Sequence, residues 1–381
     1  MHIYDLFRFG HGILLITIHI VLIIGILLEW RRNRQNKQAA GKVSVIIPVH
    51  NESTRIKGLL RTLLGQSYPA QIIFIDDRST DDSPAMLKSF AQDAEQRGID
   101  CKIITLKENH GKNKKQFALL KGIKEANGDY FLFTDGDCEV PHDWIHAMVS
   151  HIQDEKTGVA IGPIFKKRKN KGFFSLFQCY DHVIRYTYLK GSTGLGAASG
   201  GFGNNMIINR KLLEAIGGYD AVPSSPTEDA ALISHIRHVG GVRVSAISDI
   251  KAAVDTEAEY TWREFINQTL RWNNGGIFSP DLLTRINYNI LMLVISTGIL
   301  AIPFLPFIPS LWPLTAGVYI SMTLNHIAVF SLFGKKMPGS RINIISGYFL
   351  TLLFMPVYIT LMTIMSYLRI KTTWKNETVN R

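Results

Sequence analysis

The chain has 381 residues, enough for one sizeable domain plus further segments at roughly 100–200 residues per domain. Hydrophobic residues make up 46% and charged residues 19%, and the net charge of +11 leaves two classes: a nucleic-acid binder, or a membrane protein with basic flanks and an anionic substrate. Clustered basic residues interleaved with aromatic platforms are missing, which excludes nucleic acid as a partner.

Both ends of the chain are apolar and the middle is polar. Residues 11–30 (HGILLITIHIVLIIGILLEW) are long enough to cross a bilayer, which takes about 20 mostly apolar residues. Arg31, Arg32, Arg34 and Lys37 follow at once, and no small-residue cleavage site does. The expectation is a retained anchor with a basic cytoplasmic flank over residues 1–40, rather than a cleaved signal peptide. His11 and His19 read as tolerated polar residues near helix ends or interfaces.

From residue 41 the pattern changes. VSVIIPV (43–49), QIIFID (71–76), CKIITL (101–106) and DYFLFTD (129–135) are short β-branched runs separated by helical segments. Such alternation predicts βαβ units and a mostly parallel sheet covered on both faces. In that architecture ligands bind beyond the carboxyl ends of the strands, so polar residues there are the first candidates. Lys166, Lys167, Arg168, Lys169 and Lys171 form a basic run, read as a solvated loop or as a lipid-headgroup contact. Cys101, Cys138 and Cys179 are scattered and odd in number, which fits a reducing compartment.

After about residue 285 the chain is apolar again, with spans predicted near 288–308, 311–333 and 343–368. Pro303, Pro306, Pro309 and Pro313 crowd the first junction, marking a tight turn or a broken helix. Lys335, Lys336 and Arg341 lie between the second and third of these spans. Four spans leave Arg369, Lys371 and Lys375 on the outer side, against the positive-inside trend; one interfacial or re-entrant span is the alternative.

The chemistry-bearing residues follow the strands. The first strand leads into Pro48-Val49-His50-Asn51-Glu52, the second into Asp76-Asp77, the fourth into Asp135-Gly136-Asp137. Clustered carboxylates repel, and a metal ion or ligand donors offset that cost. In an extended Asp-x-Asp both carboxylates lie on one side, within reach of one Mg²⁺ or Mn²⁺ that also binds a diphosphate. Asp76 and Asp77 can accept hydrogen bonds from a uracil or ribose, and Asp81 or Ser83 is expected to cap the next helix. Asn109 to Lys115 is a basic, glycine-containing helix start, either phosphate-attracting or simply solvated. Ala198-Ser199-Gly200-Gly201-Phe202-Gly203-Asn204-Asn205 is a candidate floor for sugar or acceptor, or a tight turn before Met206-Ile207-Ile208. Pro226-Thr227-Glu228-Asp229 opens a helix; Thr227 as cap explains it structurally, and Asp229 as general base explains it functionally. Gln268, Arg271 and Trp272 share one helical face, suited to a diphosphate and an acceptor sugar or to an amphipathic interface helix.

In order and in combination these motifs resemble glycosyltransferase family 2, in particular its membrane-bound branch, over about residues 43–275. The resemblance implies a GT-A fold, an α/β nucleotide-sugar-binding domain over residues 41–284, followed by a membrane region and tail over 285–381. It implies a donor site at Pro48, His50, Asn51, Glu52, Asp76, Asp77, Lys115 and Asp135, with UDP as the habitual nucleotide. It implies a metal site for Mg²⁺ or Mn²⁺ at Asp135 and Asp137. It further implies catalytic roles for Asp229, Glu228 and Arg271, and acceptor contacts at Gly200, Gly201, Gln268 and Trp272. Trp374-Lys375 is similar to a Trp-basic pair of lipid-directed members, although Asn376-Glu377 departs from the Gly-Arg expected next. The implied reaction is a single inverting displacement with no covalent enzyme intermediate.

Two acceptors fit: a membrane lipid or lipid-linked glycan, and a growing polysaccharide. The C-terminal region is short for a polymer channel, which favours the lipid; a homo-oligomer or partner would supply a channel otherwise. A catalytically silent scaffold that binds nucleotide sugar is the alternative of another class, and Asp229 with Arg271 argues against it. The expected location is a bacterial inner membrane with the catalytic domain cytoplasmic.

Overall fold

The structure is a computed structural model that describes residues 3–33, 37–153, 156–168, 170, 172–239, 241–333, 344–371, 373–374 and 377–378. Arg34, Lys169, Lys171, Lys335, Lys336, Arg341, Lys375 and Asn376 lie outside the described residues. In chain order the elements begin with α1 (Ile3–Arg32), β1 (Val43–Val49), α2 (Lys57–Leu63), β2 (Gln71–Asp77), α3 (Ser83–Gln96), β3 (Cys101–Leu106), α4 (Lys114–Lys124) and β4 (Tyr130–Phe133). They continue with β5 (Cys138–Glu139), α5 (Trp144–Ile152), β6 (Thr157–Ile161), β7 (Ile164–Lys167), α6 (Phe173–Gly194), β8 (Met206–Asn209), α7 (Arg210–Ala215), α8 (Glu228–Val239), β9 (Arg243–Ala246) and β10 (Val254–Glu257). Helices follow: α9 (Trp262–Ile277), α10 (Leu282–Leu300), α11 (Trp312–Phe333), α12 (Ile344–Phe349) and α13 (Met355–Tyr367), with a π-helical turn at Leu350–Phe354.

The chain divides into two compact units, neither continuous in sequence. One comprises Leu28–Lys167 and Ser192–Glu257 and contains the sheets. Its main sheet has the order β3-β2-β1-β4-β8-β6-β9. The β-branched runs pair in parallel, with Ile46 opposite Ile73 and Val45 opposite Leu132. Strand β8 runs antiparallel to β4, with Met206 opposite Phe133. That reversal has a consequence for function: the carboxyl ends of β1, β2 and β4 and the start of β8 share one edge. The glycine-rich segment before Met206 therefore arrives beside the acidic strand ends. Val45, Ile47, Phe74, Leu132 and Ile207 are fully buried in the sheet core. Each such side chain stabilises the fold by about 1.5–3 kcal/mol, which is why the runs are continuously apolar. A second sheet, β5-β10-β7, sets Thr256 opposite Cys138.

The other unit comprises Met1–Leu27, Arg168–Gly191 and Ala258–Arg381 and is helical. Among the described residues four helices are long and apolar enough to cross a membrane: Phe7–Arg32, Leu282–Phe304, Pro309–Phe333 and Ile345–Tyr367. This is a membrane protein. Pro303 and Pro309 sit in two short 3₁₀ turns, Ile302–Phe304 and Pro309–Leu311, that join α10 to α11, with Pro306 between them. Leu15, Leu291, Ile295, Val318 and Met322 form the shared apolar seam. Gly12 and Gly317 let α1 and α11 touch: a Cβ on Gly317 would lie 2.5 Å from the Gly12 Cα. Close backbone approach through small residues is how helices pack without a hydrophobic drive between them. His11 lies 2.6 Å from the Thr297 hydroxyl, so it is an interhelical contact as expected for a tolerated polar residue. Beyond α13, Thr373–Trp374 pairs with Glu377–Thr378.

Candidate active site

The residues beyond the carboxyl ends of β1 and β2 are held by two crossing loops. Asn51 has a φ of 53°, a left-handed conformation that asparagine tolerates. It turns the chain after β1 so that Asn51 Oδ1 accepts from the Thr80 N–H (2.8 Å) and the Ser79 hydroxyl accepts from the Asn51 N–H (3.0 Å). The Glu52 N–H donates to the Ser83 hydroxyl (2.8 Å), and His50 Nδ1 donates to the Asp77 carbonyl (2.5 Å). These bonds lock the end of β1, where Pro48 lies opposite Ile75, to the end of β2. Asp76 and Asp77 are buried; Asp76 Oδ1 accepts from the Ser79 N–H (3.1 Å). Asp77 is held by Arg78 Nε (2.8 Å) and Asn109 Nδ2 (2.8 Å). The cap of α3 differs from expectation. Its N-cap residue is Asp82, without a side-chain bond, while Asp81 accepts from the Ser83 and Ser53 N–H groups. Asp81 is used to bind the two loops together.

The centre of the cluster is Lys115. It stands in the first turn of α4, where a cation opposes the helix dipole. Its Nζ lies 2.8 Å from Asp135 Oδ1 and 3.1 Å from Glu228 Oε1, across more than a hundred residues of sequence in the latter case. Burial opposes the ammonium charge, yet Asp135, Glu228 and Asp229 hold its pKa above the ordinary value. Asp135 is pushed up by burial, against the pull of Lys115 and with the repulsion of Asp137 added. Asn113 caps α4 by accepting from the Gln116 N–H (3.0 Å), and its amide donates to Glu228 (3.3 Å) and to the Ser225 carbonyl (2.6 Å).

Asp229 lies in the first turn of α8. Its carboxylate accepts from two backbone amides, Gly203 (2.8 Å) and Ala230 (2.8 Å). Burial raises its pKa, Glu228 raises it further, and Lys115 opposes both. The glycine-rich segment is built around this residue. A Cβ on Gly201 would lie 2.8 Å from the Asp229 carbonyl carbon, and one on Gly203 would lie 3.1 Å from the Asp229 Cβ. Gly200 has a φ of 89°, a conformation that glycine adopts without strain.

Asp137 Oδ2 accepts from the Thr256 hydroxyl (3.1 Å), and a Cβ on Gly136 would meet Glu52 Cγ at 3.1 Å. Glu52 thus packs over the Asp135–Asp137 turn. Among the described residues no group of three or more His, Cys, Asp or Glu is arranged to hold a metal by itself. Two carboxylate arms with hard oxygens and surplus negative charge are the donor set that Mg²⁺ or Mn²⁺ shares with phosphate oxygens and water. Asp135 and Asp137 fit such an ion.

Gln268, Arg271 and Trp272 belong to the helical unit, on α9. That helix is started by a capping box in which Thr261 and Glu264 satisfy each other's backbone amides. Gln268 Nε2 donates to Glu259 (2.8 Å). The Trp272 ring is flanked by the Arg185 guanidinium, 5.4 Å from its centroid, and by the His182 ring at 5.8 Å. Arg185 is in turn fixed by Asp181 (2.9 Å). Sequence reasoning named Asn109 and Asn113 only as parts of a basic helix start, and it passed over Asp181, Arg185 and Thr256. Asn113 was recoverable from its N-cap position; the others act through contacts that no local pattern records.

Residues 44–217 match the family described as Glycosyl transferase family 2. The probable glycosyltransferase YdaM of Bacillus subtilis is 28% identical over 255 residues, 64% of this chain and 57% of that protein. The beta-monoglucosyldiacylglycerol synthase of a Nostoc species is 23% identical over 311 residues, 76% of this chain and 64% of that protein. The chain thus spans less than two thirds of the length of either relative. The solved mannosyltransferase PcManGT from Pyrobaculum calidifontis, in complex with GDP-Man and Mn²⁺, matches with a TM-score of 0.50 at 18% identity, over 97% of this chain and 100% of that one. At that identity the likeness is one of fold. Residues 44–217, a little under half of the chain, are thus similar to glycosyl transferase family 2, and the chain has a GT-A-like α/β fold.

Proposed function

We propose that the protein transfers a sugar from a nucleotide-sugar donor to a membrane lipid or lipid-linked acceptor, with inversion at the anomeric carbon. The observation that carries this reading is Asp229. It is a carboxylate of raised pKa, aimed by the Gly203 and Ala230 amides and set beside Lys115, Glu228 and Asp135. A raised pKa brings a carboxylate closer to the basicity that general-base catalysis at neutral pH rewards. In the proposed step the acceptor oxygen bonds to the anomeric carbon while the bond to the nucleoside diphosphate breaks. Asp229 takes the hydroxyl proton.

Asp76 and Asp77 are assigned to the nucleoside, Asp135 and Asp137 to a divalent ion, and Lys115 to the arrangement of Asp135 and Glu228. A bound Mg²⁺ or Mn²⁺ supplies charge neutralisation to the leaving diphosphate. Arg271 and Trp272 are assigned to diphosphate and acceptor by their resemblance to the family motif. The lipid acceptor is supported by the four helices long and apolar enough to span a membrane and by the activity that names the Nostoc relative, a glucosyldiacylglycerol synthase. Arg31 and Arg32 in the last turn of α1 support a cytoplasmic position for the sheet-containing unit. We assign the membrane to the bacterial inner membrane.

The test is transfer from a panel of labelled nucleotide sugars, with the full chain in native lipid and Mg²⁺ or Mn²⁺ present. Label in the solvent-extractable lipid fraction supports the reading and names the donor. Label in high-molecular-weight polymer replaces the lipid acceptor with a polysaccharide. Nucleotide-sugar binding without transfer from any donor, unaltered by Asp229→Asn, favours the silent scaffold.

A further inference from the structure

The segment that carries Glu228 and Asp229 into the cluster is held from α4. Residues 222–227 (VPSSPT) form neither helix nor strand, and Pro223 and Pro226 have no N–H to donate. Thr227, a structural cap for α8 on the sequence reading, has its hydroxyl beside that of Ser225 instead (3.4 Å). The segment ends in two adjacent carboxylates, and Glu228 repels Asp135 across the cluster. That repulsion pushes the segment away from the acidic edge.

The start of α4 opposes it. Asn113 Nδ2 donates to the Ser225 carbonyl (2.6 Å) and to Glu228 Oε2 (3.3 Å), while Asn113 Oδ1 accepts from the Gln116 N–H (3.0 Å). One turn on, Gln116 Nε2 donates to the Val222 carbonyl (3.0 Å). This platform is itself fixed to the sheet. Asn109, buried, donates to Asp77 Oδ2 (2.8 Å) at the end of β2 and to the Lys114 carbonyl (2.9 Å) in the first turn of α4. The hold on residues 222–228 is therefore referenced to the same strand ends that carry the acidic residues.

The chemistry of position 113 exceeds what a helix cap asks. Serine, aspartate and asparagine cap a helix about equally well, because the cap needs one side-chain acceptor. Of these, asparagine alone adds two N–H donors, and Asn113 Nδ2 has two acceptors. Lys115 attracts Glu228 as a point charge, which sets a distance. The Asn113 amide bonds a carbonyl and a carboxylate at once, which sets a direction. Asp229 follows Glu228 directly, so that direction passes to the carboxylate that meets the Gly203 and Ala230 amides. We propose that Asn113 is a positioning residue of the transfer site, whose amide fixes residues 225–229, and with them the Asp229 carboxylate, relative to Lys115 and Asp135. The catalytic consequence rests on the reading of Asp229 as general base; the hold on the segment does not.

The test is Asn113→Ser in the full chain in nanodiscs, which keeps an N-cap acceptor for α4 and removes both donors. Hydrogen–deuterium exchange is measured beside transfer from the labelled nucleotide-sugar panel and binding of UDP and of GDP with Mn²⁺. Exchange over residues 222–232 is expected to rise about tenfold, the scale of two lost hydrogen bonds, with exchange over residues 117–124 unchanged. The kcat is expected to fall at least about tenfold while nucleotide affinity stays within about twofold, because a misdirected base loses turnover rather than binding. Gln116→Met, which removes only the bond to Val222, is the second variant and should raise exchange over the same residues to a lesser degree. Unchanged exchange over residues 222–232 in both variants overturns the hold. Faster exchange that extends through α4 overturns it too, since loss of the cap then explains the result. Faster exchange over residues 222–232 with wild-type kcat overturns the positioning role. Asp229→Asn, run in parallel, separates the two readings: if it keeps wild-type transfer, Asp229 is not the base, and the exchange data still decide whether Asn113 holds the segment.

Discussion

Replacing Lys115 by methionine keeps the aliphatic stem and removes only the ammonium. That leaves Asp135 and Glu228 facing each other without the cation that both now contact at 2.8 and 3.1 Å. Breaking a buried ion pair from one side costs about 3–5 kcal/mol, whereas an exposed pair contributes about 0–1 kcal/mol. The three side chains are 17%, 30% and 7% exposed, nearer the buried limit, so a loss of about 2–3 kcal/mol follows. At roughly 2–4 °C per kcal/mol for a domain of this size, the melting temperature should fall by roughly 4–12 °C. The assay is thermal unfolding of the detergent-solubilised full chain with a chelator present, followed by circular dichroism. Adding Mn²⁺ should restore more stability to the variant than it adds to the wild type, because a divalent ion at Asp135 offsets the same repulsion. A Lys115→Met variant that melts within a degree of the wild type, with and without Mn²⁺, refutes the placement of Lys115 at the centre of the cluster.

Asp229→Asn should reduce transfer by at least about 100-fold while nucleotide binding is kept, the usual scale of a lost general base. The wild-type pH profile of kcat/KM should show an acid limb above the ordinary carboxylate range, since burial and Glu228 raise the Asp229 pKa; a limb at or below that range counts against Asp229 as the base. Gly201→Ala places a methyl 2.8 Å from the Asp229 backbone, so α8 must shift. Overpacking of this kind costs about 1–3 kcal/mol, and displacement of the base by a fraction of an ångström should lower kcat more than it raises KM; unchanged kinetics would show that the loop yields freely. Asp255, on β10, is pushed up to about 6 by burial, with Lys167 opposing and Glu139 adding to the shift. Because its folded pKa exceeds its unfolded value of 3.8, the folded state holds the extra proton between these values and stability falls as pH rises from about 4 to about 6. Asp255→Asn should flatten that window in a urea titration and raise stability at pH 8 by about 1–2 kcal/mol, after discounting for its partial exposure.

The amino-acid sequence by itself determined the first four strands, the helices between them and the apolar spans. The runs 45–49 and 72–75 are continuously apolar because both faces of a covered sheet are dry, and a local run records that directly. The four membrane spans are legible for the same reason, since bilayer thickness fixes a length that a hydropathy run must fill. The positions of Asp76, Asp135 and Asp137 at strand ends also follow from local pattern plus the parallel topology. What only the tertiary structure decided are the pairings between distant segments. Nothing near Lys115 announces that Glu228 will meet it, because that contact depends on the reversed strand β8 delivering α8 to the acidic edge. The glycines at 201 and 203 read as a floor for a ligand; in the fold they admit the backbone and Cβ of Asp229. Arg185 beside Trp272, and Asn113 beside Ser225, likewise lie far apart in sequence. Periodicity encodes which face of a segment is buried, whereas the identity of the group that covers it is fixed by long-range register and packing.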